Sequence, residues 1–275
     1  MDQPADDSTL RLAIFLGVLC VMALAEVAAP RRRVEIPRLI RWSNNLALVV
    51  IDTALVRLVF PVLAVGVALI AQENGWGILN WIAAPDWLAV ILSVILLDLV
   101  IYGQHVVFHK VPILWRLHRM HHADLEFDVT TALRFHPLEI LISMALKIVV
   151  VTLLGAPALA VLIFEVVLNA SAMFNHANVK LPGPVDRVLR LILVTPDMHR
   201  VHHSVHPVET NSNFGFNLPW WDRLFGTYTA QPRDGHTDMT IGLTQFRSRR
   251  ELWLDRLLLQ PLQNPTAEKP PGGKD

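Results

Sequence analysis

Residues 87–122 read WLAVILSVILLDLVIYGQHVVFHKVPILWRLHRMHH, a membrane-type run that passes without a break into a cluster of histidines. From Trp87 to Gly103 the stretch is apolar, with Asp98 its single charge. A run of that length and polarity predicts a helix in the bilayer, where only intrahelical bonds can satisfy the backbone. The second half then delivers His105, His109, His118, His121 and His122.

The rest of the 275-residue chain agrees with this reading: 53% of it is hydrophobic and only 17% is charged, against about 25% charged in a typical soluble domain. Mean hydropathy is +0.41. The 24 basic and 24 acidic residues cancel, which removes any electrostatic reason to expect nucleic acid as a partner. A single cysteine, Cys20, excludes an intramolecular disulfide and any metal site built on several thiolates.

Three further runs are long enough to consider. Leu10–Ala29 follows acidic residues (Asp2, Asp6, Asp7) and has no small-residue cleavage site before Arg31-Arg32-Arg33, so it reads as a retained helix rather than a leader. Leu46–Ala71 is the second run. Leu138–Phe174 is too long for one helix and breaks at Gly155-Ala156-Pro157, which predicts a hairpin of two membrane helices over 138–174. The predicted fold class is all-α: a multi-pass membrane helical protein with a cytoplasmic helical cap that carries the histidine clusters.

Orientation follows from the basic residues. Arg31, Arg32, Arg33, Arg38 and Arg41 fall between Pro30 and Asn45, and Gln72–Asp86 has no Lys or Arg. Lys110, Arg116, Arg119 and Arg134 follow the next run. The positive-inside rule puts both basic segments in the cytoplasm and the N-terminus outside. Three regions result: 1–91, N-terminal transmembrane; 92–228, the histidine domain with its hairpin; and 229–275. In the last, Arg247, Arg249, Arg250 and Arg256 interleave with apolar residues, as in a helix lying on the membrane surface or packed on the cap. Residues 261–275 read as a disordered tail.

No histidine precedes residue 105, yet ten of the twelve fall between 105 and 203. His105 and His109 form HxxxH; His118, His121 and His122 form HxxHH; His199, His202 and His203 repeat HxxHH. Spacings of three and four share a helical face and can share an ion. The adjacent histidine of each HH pair points about 100° away, toward a second ion. A lone histidine is more often a hydrogen-bonded core residue, but eight in three spaced motifs are not explained that way. Imidazole alone suits iron, copper, zinc or nickel.

The flanks of these motifs narrow the choice. Trp115-Arg116-Leu117-His118-Arg119-Met120-His121-His122, Arg134-Phe135-His136-Pro137-Leu138-Glu139, His199-Arg200-Val201-His202-His203-Ser204 and Trp221-Asp222-Arg223-Leu224-Phe225-Gly226-Thr227 occur in that order. Over roughly residues 92–228 the chain resembles the fatty acid hydroxylase/sterol desaturase superfamily. The resemblance implies an integral membrane enzyme with two non-haem iron ions that uses O2 and two external electrons to hydroxylate or desaturate a lipid. It also implies that His105, His109, His118, His121, His122, His199, His202 and His203 are metal ligands. His176, in Asn175-His176-Ala177-Asn178, matches an isolated further ligand. His136 is read as a structural or supporting residue, and Asn178, Asn211 and Asn213 as candidates for places around the metals, with loop capping the alternative for the last two.

Asp98 is a separate inference. An intramembrane carboxylate needs a partner, and a ligand histidine reached from a neighbouring helix or through water is the expected one. Asp222 is expected to anchor the cap, and His206 and His236 to be surface residues. No GxGxxG or CxxC motif is present, so a separate electron donor, ferredoxin-like or a haem protein with its reductase, is expected. Substrate (sterol, fatty acyl or related lipid) and oligomeric state stay open. Two rivals also remain at this point: a non-enzymatic membrane metal-binding protein, and a zinc-dependent membrane hydrolase using Asp124 or Glu126 as base.

Overall fold

Long apolar segments coil into helices because lipid offers their backbone no other partner. The computed structural model, which describes residues 4–264, has that architecture. The first eight helices are α1 (Pro4–Ala28), α2 (Arg38–Val59), α3 (Ala64–Glu73), the single-turn α4 (Ile78–Trp81), α5 (Asp86–Lys110), α6 (Pro112–His122), α7 (Pro137–Leu154) and α8 (Ala158–Asn175). After them come α9 (Gly183–Leu189), α10 (Pro196–His202), α11 (Pro207–Thr210), α12 (Trp220–Leu224), α13 (Gly235–Asp238) and α14 (Leu254–Leu259). Among the described residues there is no strand, only two isolated bridges, Pro30 with Val179 and Ser204 with Ile241. The fold is all-helical.

Five segments are long and apolar enough to cross a bilayer: Thr9–Ala28, Arg38–Trp81, Asp86–Lys110, Pro137–Leu154 and Ala158–Asn175. The second is not one helix. Phe60, which precedes Pro61, is extended (φ −114°, ψ 97°), the conformation a following proline imposes, and the chain restarts as α3. The 138–174 hairpin is as expected: α7 ends at Gly155, whose φ of +66° only glycine adopts easily. A Cβ there would sit 2.5 Å from Trp76 O, and one on Gly77 2.1 Å from Gly155 N. The hairpin tip and the loop before α4 therefore meet backbone to backbone, at the same end of the molecule.

The opposite end is closed by charge. Three of the five arginines of the 30–45 loop bind inside the protein. Arg31 Nε donates to Asp197 (3.0 Å), and Arg32 donates to the carbonyls of His236 and Met239 (2.8 and 2.7 Å). Arg41, fully buried on α2, donates to both oxygens of Asp124 (2.8 and 2.7 Å) and to Asp128. Glu26, buried near the end of α1, accepts from the backbone N–H of Val129 (2.7 Å) and of Asn178 (2.8 Å). Asn178 in turn exchanges hydrogen bonds with the backbone of Arg32. The loop that marks orientation in the sequence is also a latch.

The C-terminal segment packs on the protein. Leu252 and Leu257 are fully buried, Leu257 against Leu48 and Met120, and Arg116 and Arg119 donate to the carbonyls of Gln260, Pro261 and Gln263. Of the two readings of this basic segment, the packed one is found. At the start of the expected tail, Pro261 is buried and Asn264 Oδ1 accepts from Arg116. Residues 265–275 lie outside the described residues.

Two outcomes follow. Arg41→Leu strands two buried carboxylates and is expected to cost about 3–5 kcal/mol, read as a large fall in the thermal unfolding midpoint in detergent; an unchanged midpoint would show that the pairing contributes nothing. In a Cys20→Ser background, cysteines at Asn74 and Asn264 are expected to label from opposite sides of the membrane. Labelling from one side would overturn the topology.

Candidate metal centre

Four elements bring the histidines together. α5 continues beyond its apolar part and carries His105 and His109 in its last two turns. Val111 is extended before Pro112, which opens α6 and turns the chain back, so that His118, His121 and His122 face α5. His176 caps the C-terminus of α8. Thr195 and Pro196 start α10, which carries His199 and His202 and ends at His203.

The nine side chains form two groups: His105, His109, His118, His122 and His202; and His121, His176, His199 and His203. Within each group the ligand atoms lie within 4.8 Å of one another. Each HxxHH motif is split. His118 and His122 serve the first group and His121 the second; His199 and His203 serve the second and His202 the first.

The hydrogen bonds set the tautomers. His105 Nδ1 donates to Phe214 O, His202 Nδ1 to Ser212 O and His176 Nδ1 to Ala172 O, each at 2.7 Å. A carbonyl only accepts, so the proton is on Nδ1 and the lone pair is on Nε2. Yet Nε2 of His202 lies 3.0 Å from Nε2 of His105, and Nε2 of His199 lies 3.1 Å from that of His176. His105 with His202 places lone pair against lone pair, with no proton between them. Such a contact is repulsive unless a cation sits on the converging lone pairs. The spacing fits one, since ligands about 2.1 Å from an ion and at right angles are about 3.0 Å apart. His203, with neither ring nitrogen hydrogen-bonded among the described residues, likewise awaits a partner.

Burial keeps these nitrogens free of protons. It pushes His118 down to about 3 and His176 to about 4, and it drives His121, His122, His199, His202 and His203 well below the ordinary histidine value. Protons therefore compete weakly for the ligand atoms at neutral pH. Aromatic rings close the surroundings: Phe135 stacks on His121 at 4.6 Å, Trp115 packs on His109, and Phe214 and Phe216 flank His105.

Other residues singled out in the sequence lie around the two groups rather than in them. Asp98 receives no histidine. It accepts from Asn217 Nδ2 (2.8 Å), Trp221 Nε1 (2.8 Å) and Leu218 N (3.3 Å), because the 214–221 loop folds back onto α5 two turns below His105. Asp222 holds the same loop at Phe214 N and Gly215 N. His136 caps α7, accepting from Leu138 N and donating to Leu258 O. Asn213, at φ +51°, bonds Met198 O and the backbone of Thr229. Asn211 donates to Pro207 O. His206 pairs with Asp234 at the surface, but His236 is buried 3.6 Å from Asp197, contrary to expectation. Arg32, which binds the His236 carbonyl, draws that segment inward.

Sequence reasoning overlooked Glu139. Its Oε1 accepts from His118 Nδ1 at 2.7 Å, and it is buried in the first turn of α7. The signal was present, since a carboxylate opening an apolar run raises the same question as Asp98. Asp124 and Glu126 are both engaged: burial raises Asp124, but Arg41 outweighs it and holds the carboxyl at about 2, and Glu126 accepts from Glu35 N and Ile36 N. A cavity of about 400 Å³ between α2, α5, α7 and α8 reaches His105, His118 and Glu139, with Phe108, Phe135 and Phe216 in its walls.

Comparison with known proteins supplies a context. The fatty acid hydroxylase family matches residues 90–227. The chain is 37% identical over 161 residues to the ornithine lipid hydroxylase OlsE of Rhizobium tropici, covering 58% of this chain and 47% of that protein. It is 32% identical over 186 residues to an alkylglycerol monooxygenase of Danio rerio (66% and 38%), and 26% over 144 residues to a cholesterol 25-hydroxylase of Rattus norvegicus (52% and 47%). The matched region thus spans less than half the length of these relatives. No solved structure matches.

Glu139→Gln is expected to weaken metal retention by about 10–100-fold, since the lost charge makes His118 a poorer donor. His121→Ala and His202→Ala should each lower metal content without preventing membrane insertion. Metal analysis after dialysis against a chelator reads all three; full retention in the histidine variants would show that the clusters are not the site.

Proposed function

The chain belongs to the fatty acid hydroxylase family, and from that premise we propose that it is a membrane-bound oxygenase that hydroxylates a C–H bond of a lipid with O2 and external electrons. The observation that carries this reading is the meeting of two convergent sets of imidazole lone pairs with a largely apolar cavity at His105 and His118. The proposed cofactor is a pair of iron ions, one for each histidine group. Bound there, they would supply the redox chemistry toward dioxygen that side chains lack.

The protein's own residues prepare that chemistry. Carbonyls of Phe214, Ser212 and Ala172 fix the ring orientations of His105, His202 and His176. Glu139 takes the His118 proton side and makes that ring a stronger donor. Phe135, Phe214, Phe216 and Trp115 keep bulk water from the reacting face. The cavity, open among membrane helices, suits a lipid arriving sideways from the bilayer. The names of the relatives, hydroxylases and a monooxygenase, favour hydroxylation over desaturation. The histidine end is proposed to face the cytoplasm, with a separate electron donor docking there. Against the hydrolase reading, Arg41 occupies both oxygens of Asp124 and Glu126 Oε1 accepts from Glu35 N and Ile36 N.

The test is the purified protein in lipid nanodiscs, loaded with iron and supplied with a reductant and isotopically labelled O2. Lipid that gains an oxygen atom from O2, with oxygen consumed in step, is the expected result. Product whose new oxygen carries no label from O2, formed without oxygen consumption, would identify a hydrolase. Metal binding without turnover of any lipid would identify a binding protein.

A further inference from the structure

The inward face of α2 is formed by Arg41, Asn45, Leu48, Asp52 and Val56. The first three are matched: Arg41 by two carboxylates, Asn45 by Thr130 Oγ1 at 3.0 Å, and Leu48 by Met120 and Leu257. Asp52 is not. It is 8% exposed, it lines the same cavity as His105 and His118, and its Oδ1 has no hydrogen-bond partner among the described residues. A buried carboxylate without a donor is among the least favourable groups a membrane helix can hold.

The cations nearby do not resolve this. Lys147, which also lines the cavity, donates to Glu165 Oε1 at 2.8 Å, and Arg11 binds the other oxygen of Glu165 at 2.6 Å. Arg57 also lines the cavity, but it is exposed, lies five residues after Asp52 and about 140° around the helix, and makes no ion pair with Asp52 among the described residues. The cavity follows α7 from Glu139 to Lys147, eight residues or about 12 Å of helix. Asp52, His105 and His118 all line the cavity.

Building on the reading of this cavity as the substrate site, we propose that it selects amphiphiles whose polar head donates a hydrogen bond, an ammonium or a hydroxyl, to the Asp52 carboxylate. Head capture at a fixed point on α2 then sets which carbon of the chain lies beside His105 and His118. Selectivity for the position oxidised becomes a matter of distance from the head.

Binding of radiolabelled hexadecylamine, hexadecanol and methyl hexadecyl ether to the metal-loaded full-length protein in nanodiscs tests this, without O2 or reductant. The ether, with no donor, is expected to bind about tenfold more weakly than one or both of the others, the scale of a hydrogen bond to a charged group. Preference for the amine identifies an ammonium head, and preference for the alcohol a hydroxyl head. Asp52→Asn keeps the size and removes the charge, so it should shrink the preference; Asp52→Leu should abolish it. Equal binding of the three probes to the unaltered protein, or a preference unchanged in Asp52→Asn, would overturn the proposal. If the preference stands but no lipid is ever oxidised, the oxygenase reading fails alone. If it vanishes in a protein that turns over, only head capture fails.

Discussion

The Nε2 lone pairs of His105 and His202 are forced together at 3.0 Å by hydrogen bonds made on the far side of each ring. Left to themselves, buried imidazoles would turn so that one ring's N–H faced the next ring's lone pair. Here the outward protons are already committed to carbonyls, so the inward face is all acceptor. Much of the rest of the fold maintains that commitment. The Phe214 carbonyl keeps its position because Asp222 holds Phe214 N and Gly215 N, and because Asp98 grips Asn217, Leu218 and Trp221 just beyond. Asp98 thus acts on the site at one remove, through a loop.

Buried ion pairs and carboxylates perform a second task, joining the long apolar helices to the segments that connect and follow them. Glu26 ties the end of α1 to Val129 and Asn178, and Arg41 ties α2 to Asp124 and Asp128. Both contacts bracket the turn between α6 and α7. Asp197 and His236 extend the same seam through Arg31 and Arg32. Removing one partner from such a set strands the other in a low-dielectric interior, so the seam is rigid rather than merely attractive.

What was legible in the sequence was local. Apolar run length marked the membrane helices, Gly155-Ala156-Pro157 marked the hairpin tip, and the four-residue spacings marked histidines that share a group, whereas the three-residue spacings join histidines of different groups. What was not legible joins residues far apart in the chain. Glu139 meets His118 across 21 positions, Arg41 meets Asp124 across 83, and Asp98 meets Asn217 across 119. Such partners are chosen by packing, and no periodicity records them. The same holds for Asp98, where the need for a partner was correct and its identity was not, and for His236, which a distant arginine draws into the interior. The C-terminal strap is a third case, since its arginines look membrane-directed until α6 supplies arginines that need its carbonyls.

The crossing of the two HxxHH motifs has a consequence for how the centre assembles. Although α5 serves only the first group and the end of α8 only the second, α6 and α10 each contribute to both histidine groups. Ordering α6 and α10 for one group orders most of the other, so the two halves of the centre form and dissolve as a unit. The half-assembled state has little structural independence, and a partly loaded population should divide into molecules with both halves filled and molecules with neither. A one-residue insertion within either motif would turn its later histidines by about 100° and disturb both groups at once. Interleaving thus couples the two groups through α6 and α10.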